Sequence, residues 1–189
     1  MANKRLKVDL PLSWSKDPVH HIQKMVEDCR KCGKEYGNNA IGFGQTNQPD
    51  YFLIGMNPWV DGNHNFKNGR GITELLHRLE QASITSFYFC NVVKCEMPTT
   101  GINPTRTHAD RCMWYLTEQI RFIQPKFLIL FGQSVAEWLD CSYYKFGSSR
   151  STFIDIPSYT VPHFSSVFYG GRETIESYYS KLFKIITKP

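Results

Sequence analysis

Residues 124–139, Gln-Pro-Lys-Phe-Leu-Ile-Leu-Phe-Gly-Gln-Ser-Val-Ala-Glu-Trp-Leu, hold the clearest structural signal in the chain. Pro125 closes a preceding helix, and Phe127 to Phe131 is an unbroken apolar run that stops at Gly132. Such a run, short and apolar on both of its faces, is the pattern of a strand buried between two layers. Ser134 to Leu139 then predicts a helix directly behind the strand. A buried strand followed at once by a helix is half of a βαβ unit.

The same grammar recurs on either side. Tyr51-Phe52-Leu53-Ile54 predicts a strand ending at Gly55, and Phe87-Tyr88-Phe89-Cys90 another ending at Asn91. Phe153 to Ile156 and Tyr159 to Val161 predict weaker strands, separated by Pro157-Ser158. Helices are expected from Asp17-Pro18 to about Lys31, over Thr73–Gln81, from a Thr107 cap to Ile123, and over Glu173–Ile186. Strands alternating with helices imply an α/β fold. The expectation is a three-layer αβα sandwich on a central, mostly parallel four-stranded sheet, with residues 1–189 as a single domain. In such sheets ligands bind beyond the carboxyl ends of the strands. The residues there are Asn57-Pro58-Trp59, Asn91, Gly132-Gln133 and Pro162-His163.

Composition narrows the class. A chain of 189 residues, 41% apolar and 21% charged, has the make-up of a soluble globular protein. No apolar run is long enough to span a bilayer and the Met-Ala-Asn-Lys-Arg-Leu start carries no signal-peptide core, so the expected compartment is cytoplasmic and no membrane partner is expected. A net charge of +5 suits a polyanion without demanding one. Aromatics make up 14% of the chain, and several lie in loop-like sequence beside basic residues, which suits base stacking better than charge alone does.

Six cysteines in a reducing compartment read as thiols or ligands in preference to disulfides. Cys29 and Cys32 form a C-x2-C pair; Cys95 and Cys112 are widely spaced. Four thiolates can hold structural zinc or an iron–sulfur cluster, and they can also be plain buried thiols. The wide second pair favours a [4Fe–4S] cluster bridging distant segments, with zinc as the alternative. Cys90 and Cys141, in apolar or mixed sequence, read as small core residues.

Cys29-x2-Cys32, Gly55-Met56-Asn57-Pro58, Asn91-Val92-Val93-Lys94-Cys95, Cys112 and His163-x-Ser165, in this order, resemble the uracil-DNA glycosylase superfamily. The four cysteines and the N-V-V-K-C run are similar to its iron–sulfur branch, and the likeness extends from about Asp28 to Phe168. The first motif of that branch usually reads G-E-x-P-G. Here Met56 takes the acidic place, and Asn57 gives the segment the look of the single-strand-selective and mismatch-specific branches. The second motif, usually H-P-S, is His163-Phe164-Ser165.

The resemblance implies a monofunctional glycosylase that flips uracil or a modified pyrimidine out of single- or double-stranded DNA and hydrolyses its glycosidic bond. It implies that His163 donates a hydrogen bond to the departing base and that Asn57 positions the attacking water, with Gly55 and Met56 in the same substrate loop. Asn91 would read the Watson–Crick edge, since its amide carries donor and acceptor in one plane. Phe66 would stack on the flipped base or, as the alternative, pack in the core. Trp59 would either block groups on pyrimidine carbon 5 or line an enlarged pocket. Lys94, Ser165, Ser166, Phe168 and Arg172 would meet the DNA. As alternatives, Asn57 and Asn91 suit turns and caps, His163 a surface loop, and Lys94 a solvated face. The expected setting is a monomer acting on nucleoid DNA or on phage DNA in the host cell. Two further readings stay open: removal of a bulky modified base in phage–host conflict, and a cluster-bearing DNA-binding protein without catalysis.

Overall fold

In a computed structural model of the chain, residues 17–33, 38–59, 66, 69–98, 102–146, 152–169 and 173–187 are described. Four strands form the centre of one sheet: β2 (Tyr51–Gly55), β3 (Phe87–Asn91), β4 (Phe127–Phe131) and β6 (Ile156–Val161), all parallel and ordered β3-β2-β4-β6. Two strands of two residues each, β1 (Phe43–Gly44) and β5 (Thr152–Phe153), pair antiparallel with β3 and β6 at the two edges. The sheet is therefore six-stranded and mixed, which corrects the expected four-stranded, mostly parallel one. Two-residue strands carry no hydrophobic period, so the sequence hides them.

Both edges are set by backbone geometry. Gly44 at φ +120° brings its Cα against the carbonyl of Phe87, where a side chain would collide. At the other edge the two weak strand predictions become one hairpin. Ile154 and Asp155 turn it with φ of 51° and 60°, the two positive values of a type I′ turn. Strand β6 then runs straight through Pro157, which is tolerated near a strand's start because its missing N–H falls before the pairing with β4 begins at Ser158.

Alternation along the parallel strands separates two cores. Phe52, Ile54, Tyr88, Cys90, Leu128 and Leu130 face helices α3 (Arg106–Ile123) and α4 (Gln133–Trp138). Leu53, Phe89, Ile129, Phe131 and Val161 face helices α2 (Arg70–Gln81) and α5 (Ile175–Ile186). Burial on both faces explains why these strands read as continuous apolar runs. Each buried Leu or Phe contributes roughly 1.5–3 kcal/mol.

Helix α1 (Pro18–Glu27) packs on α3 through Ile22, Val26 and Tyr115, and Asp17 caps it by accepting the His20 amide at 3.0 Å. It stops four residues before the expected Lys31. The Arg30 guanidinium donates to the carbonyls of Glu27 and Cys29 at 3.0 and 2.8 Å, which satisfies the helix end and frees the Cys29–Cys32 segment to turn. Among the described residues no helix is long and apolar enough to cross a membrane.

Candidate active site

The carboxyl ends of the parallel strands open on one cavity of about 360 Å³. Asn57 and Trp59 reach it from the loop after β2, Asn91 from the end of β3, and His163 from the loop after β6. Gly69, Arg70, Gly71 and Ile72 close one side with the first turn of α2. Phe164, Ser165, Phe168 and Tyr169, of the 3-10 helix Phe164–Phe168 and its cap, close another.

His163 is held from three directions. Tyr178 on α5, itself 1% exposed, donates its hydroxyl to the Pro162 carbonyl at 2.7 Å. The Gly132 amide donates to the Val161 carbonyl at 2.8 Å. The ring stacks on Phe164 with centroids 4.4 Å apart. Burial lowers the imidazole's pKa to about 4, so the ring is neutral at neutral pH. Its Nδ1 accepts the Ser165 amide at 3.2 Å, which leaves the ring proton on Nε2. The result is a neutral donor on the cavity wall.

Phe164 explains how the loop keeps its shape without the proline of the usual H-P-S motif. Its ring is 6% exposed and meets Phe131 and Phe89 edge-on at 5.1 and 6.1 Å. Core packing thus anchors the turn. Gly71 is the matching surface on α2, because a Cβ there would strike Ser165 Oγ and stand 3.1 Å from the Phe164 ring.

Asn91 is 3% exposed, and its amide oxygen occupies the space that a Gly55 side chain would need. The two strand ends are laced together by Val92 N–H to Gly55 O and Val93 N–H to Met56 O, both at 3.0 Å. Asn57 is half-buried, and its Nδ2 reaches the Pro58 carbonyl at 3.4 Å, a long bond that leaves the amide able to turn. Phe66 lines the cavity while packing edge-on against Phe43 and Phe89 at 5.4 and 5.8 Å. Trp59 is 58% exposed and lies across Gly69.

Several expected contacts sit elsewhere. Met56, expected in the substrate loop, packs its side chain against the α3–α4 core and is not among the residues that line the cavity. Lys94, expected to meet the DNA, is 1% exposed and bonds inward to Asn91 O and Gln119 Oε1. Ser165 lines the cavity and Ser166 is exposed. Phe168 carries the Arg70 guanidinium 4.4 Å above its ring, whereas its neighbour Tyr169 stands 84% exposed on the cavity rim. Arg172 lies outside the described residues. The sequence reading missed Arg70 and Gly71; the Gly69-Arg70-Gly71 start of a leucine-faced helix was the available signal.

The four cysteines lie on the segment after α1, the loop after β3 and helix α3, within electrostatic reach of one another. Cys29 and Cys32 follow α1 half-buried, Cys95 bridges to Asn39, and Cys112 on α3 accepts the Lys94 amide at 3.5 Å. Burial first, then Cys112, Cys32 and Cys29, pushes the Cys95 thiol up to about 12, so the four feel one another's charge. In donor chemistry the set suits a thiolate-held centre. Among the described residues no group of three His, Cys, Asp or Glu side chains stands ready to hold a metal ion. Cys90 and Cys141 are core residues, at 0% and 5% exposure.

An αβα sandwich on a mixed six-stranded sheet, with a neutral histidine and two asparagines around one cavity, defines the class. The family model described as the Uracil DNA glycosylase superfamily matches residues 41–185, and the chain belongs to that superfamily. Among curated proteins, a Type-4 uracil-DNA glycosylase of Pyrobaculum aerophilum is 26% identical over 120 residues, 60% of each chain. The chain thus spans 60% of the length of that relative. The family match begins at residue 41, so Cys29 and Cys32 fall outside it.

Proposed function

We propose that the protein is a monofunctional DNA glycosylase that excises uracil or a modified pyrimidine from a flipped-out nucleotide. The observation that carries this reading is the neutral His163, which directs an Nε2–H donor from the wall of a cavity shared with Asn57 and Asn91. Breaking the glycosidic bond leaves negative charge on the base, and a fixed donor at that position stabilises it without prior protonation. Asn57 orients water through its amide oxygen, and Asn91 reads the base edge. An amide is a poor base, so leaving-group stabilisation does most of the work. Ser166 and Tyr169, on the exposed rim, meet the DNA strand.

Cys29, Cys32, Cys95 and Cys112 would hold a [4Fe–4S] cluster, with zinc as the alternative. Their mutual electrostatic influence supports this. When bound, the cluster supplies a brace between the segment after α1 and the strand end carrying Asn91.

A second reading, excision of a bulkier modified base, is favoured by Trp59. Its indole lies over Gly69 and is 58% exposed, which suits a pocket that is widened on that side. Oligonucleotides carrying uracil, thymine or a bulky modified pyrimidine, single- and double-stranded, are incubated with protein and then treated with alkali. Breaks at uracil support the first reading and breaks at the bulky base alone the second. DNA binding without breaks on any substrate refutes both.

A further inference from the structure

Two polar side chains that line the cavity have no hydrogen-bond partner among the described residues. One is the Asn91 amide, on a residue only 3% exposed; the other is the guanidinium of Arg70, exposed on the first turn of α2. The natural partner for Arg70 is Glu74, one turn along the helix, but Glu74 is taken by Arg78 Nε at 2.7 Å. What Arg70 does meet is the Phe168 ring, 4.4 Å from the guanidinium carbon. Phe168 belongs to the 3-10 helix on the other wall of the cavity, so the contact joins α2 to the segment that follows His163. A ring face attracts a cation without using its N–H groups, so Arg70 is held in place with its donors uncommitted.

A guanidinium is a flat, permanently charged fork whose paired donors match two oxygens of a phosphate. The backbone beneath it favours the same charge. Gly69, the N-cap, gives α2 no side-chain bond, and the first intrahelical bond runs from the Thr73 amide to the Gly69 carbonyl at 3.0 Å. An uncommitted amide inside the cavity and an uncommitted fork at its edge suit a ligand that is neutral and hydrogen-bonding at one end and anionic at the other. A flipped nucleotide has that form, because its base enters the cavity and its phosphates stay at the surface. We propose that Arg70, propped on Phe168, grips a backbone phosphate flanking the flipped nucleotide and thereby holds the base in the cavity. This rests on the glycosylase reading above.

The test measures binding to a single-stranded oligonucleotide whose one deoxyuridine carries a 2′-fluorine, which resists cleavage, with a neutral methylphosphonate placed at one backbone position at a time. For the wild type, the substitution is expected to cost about 10-fold in affinity at a phosphate flanking the deoxyuridine. Arg70→Ala should lose about 10-fold on the unmodified strand and nothing further at that phosphate, and its salt dependence should be shallower by about 0.7 in log–log slope. Phe168→Leu should weaken binding by about 2- to 5-fold, with Phe168→Tyr restoring it. A wild-type scan with no cost at either flanking phosphate overturns the proposal whether or not the variants fold. So does an Arg70→Ala scan that keeps the full wild-type cost there, since Arg70 would then only brace α2 against the 3-10 helix. Both outcomes leave the glycosylase reading intact if the wild type still releases uracil from the unfluorinated strand. Wild-type protein that releases no base from any pyrimidine substrate refutes that reading, and this one with it.

Discussion

His163 lies flat against Phe164, with ring centroids 4.4 Å apart and planes 27° from parallel, while Phe164 itself plugs the core against Phe131. The residue that departs from the superfamily's usual proline is thus the one that fixes the histidine's plane.

Phe164→Ala removes that plug. It is expected to destabilise the fold by about 3–5 kcal/mol, the usual cost of emptying a buried aromatic site. Turnover should fall as the imidazole loses its backing. Denaturant unfolding and a turnover assay on the same preparation check both halves; unchanged stability would mean that the loop is held elsewhere.

The His163 pKa, lowered from 6.5 to about 4 by burial, sets a pH dependence. Between those values the unfolded chain binds the proton and the folded one does not, so stability rises with pH across that window and the gain is complete above it. Unfolding free energies measured from pH 4 to 7 should show the slope in the wild type and a shallower one in His163→Ala. Catalysis should be steady around neutrality and decline only as pH approaches 4.

Gly55→Ala tests the seat of the Asn91 amide. Gly55 has no positive φ, so the backbone accepts alanine, yet the new methyl displaces Asn91 Oδ1. Misplacing a substrate-positioning group by an ångström costs on the order of 100-fold in rate. Activity should drop that far while the melting temperature moves little.

Much of this was legible before the fold was in hand. Strands β2, β3 and β4 announce themselves because burial on both faces makes them unbroken apolar runs, and parallel-sheet logic alone brings Asn57, Asn91 and His163 to one edge. What was not legible depends on tertiary partners. Strands β1 and β5 owe their existence to Gly44 and to the Ile154–Asp155 turn, not to periodicity. Lys94 follows a strand and reads as solvated; the Asn91 carbonyl and Gln119, from α3, hold it inward. The first turn of α2 was hidden because Gly71, a poor helix former, stands where Ser165 and Phe164 leave no room for a side chain.

The four cysteines make a separate expectation. Protein purified without oxygen should be brown and contain iron and inorganic sulfide, and Cys112→Ser should lose both and melt earlier. A colourless protein containing zinc would contradict the cluster in favour of the alternative centre.

The most direct measurement is base release from a uracil-containing oligonucleotide by the wild type and by His163→Ala, with DNA binding followed in parallel. The account expects alkali-labile sites with the wild type, and their loss by about 100-fold or more in His163→Ala with binding nearly unchanged. DNA bound by the wild type with no abasic product on uracil or on any modified pyrimidine would contradict it.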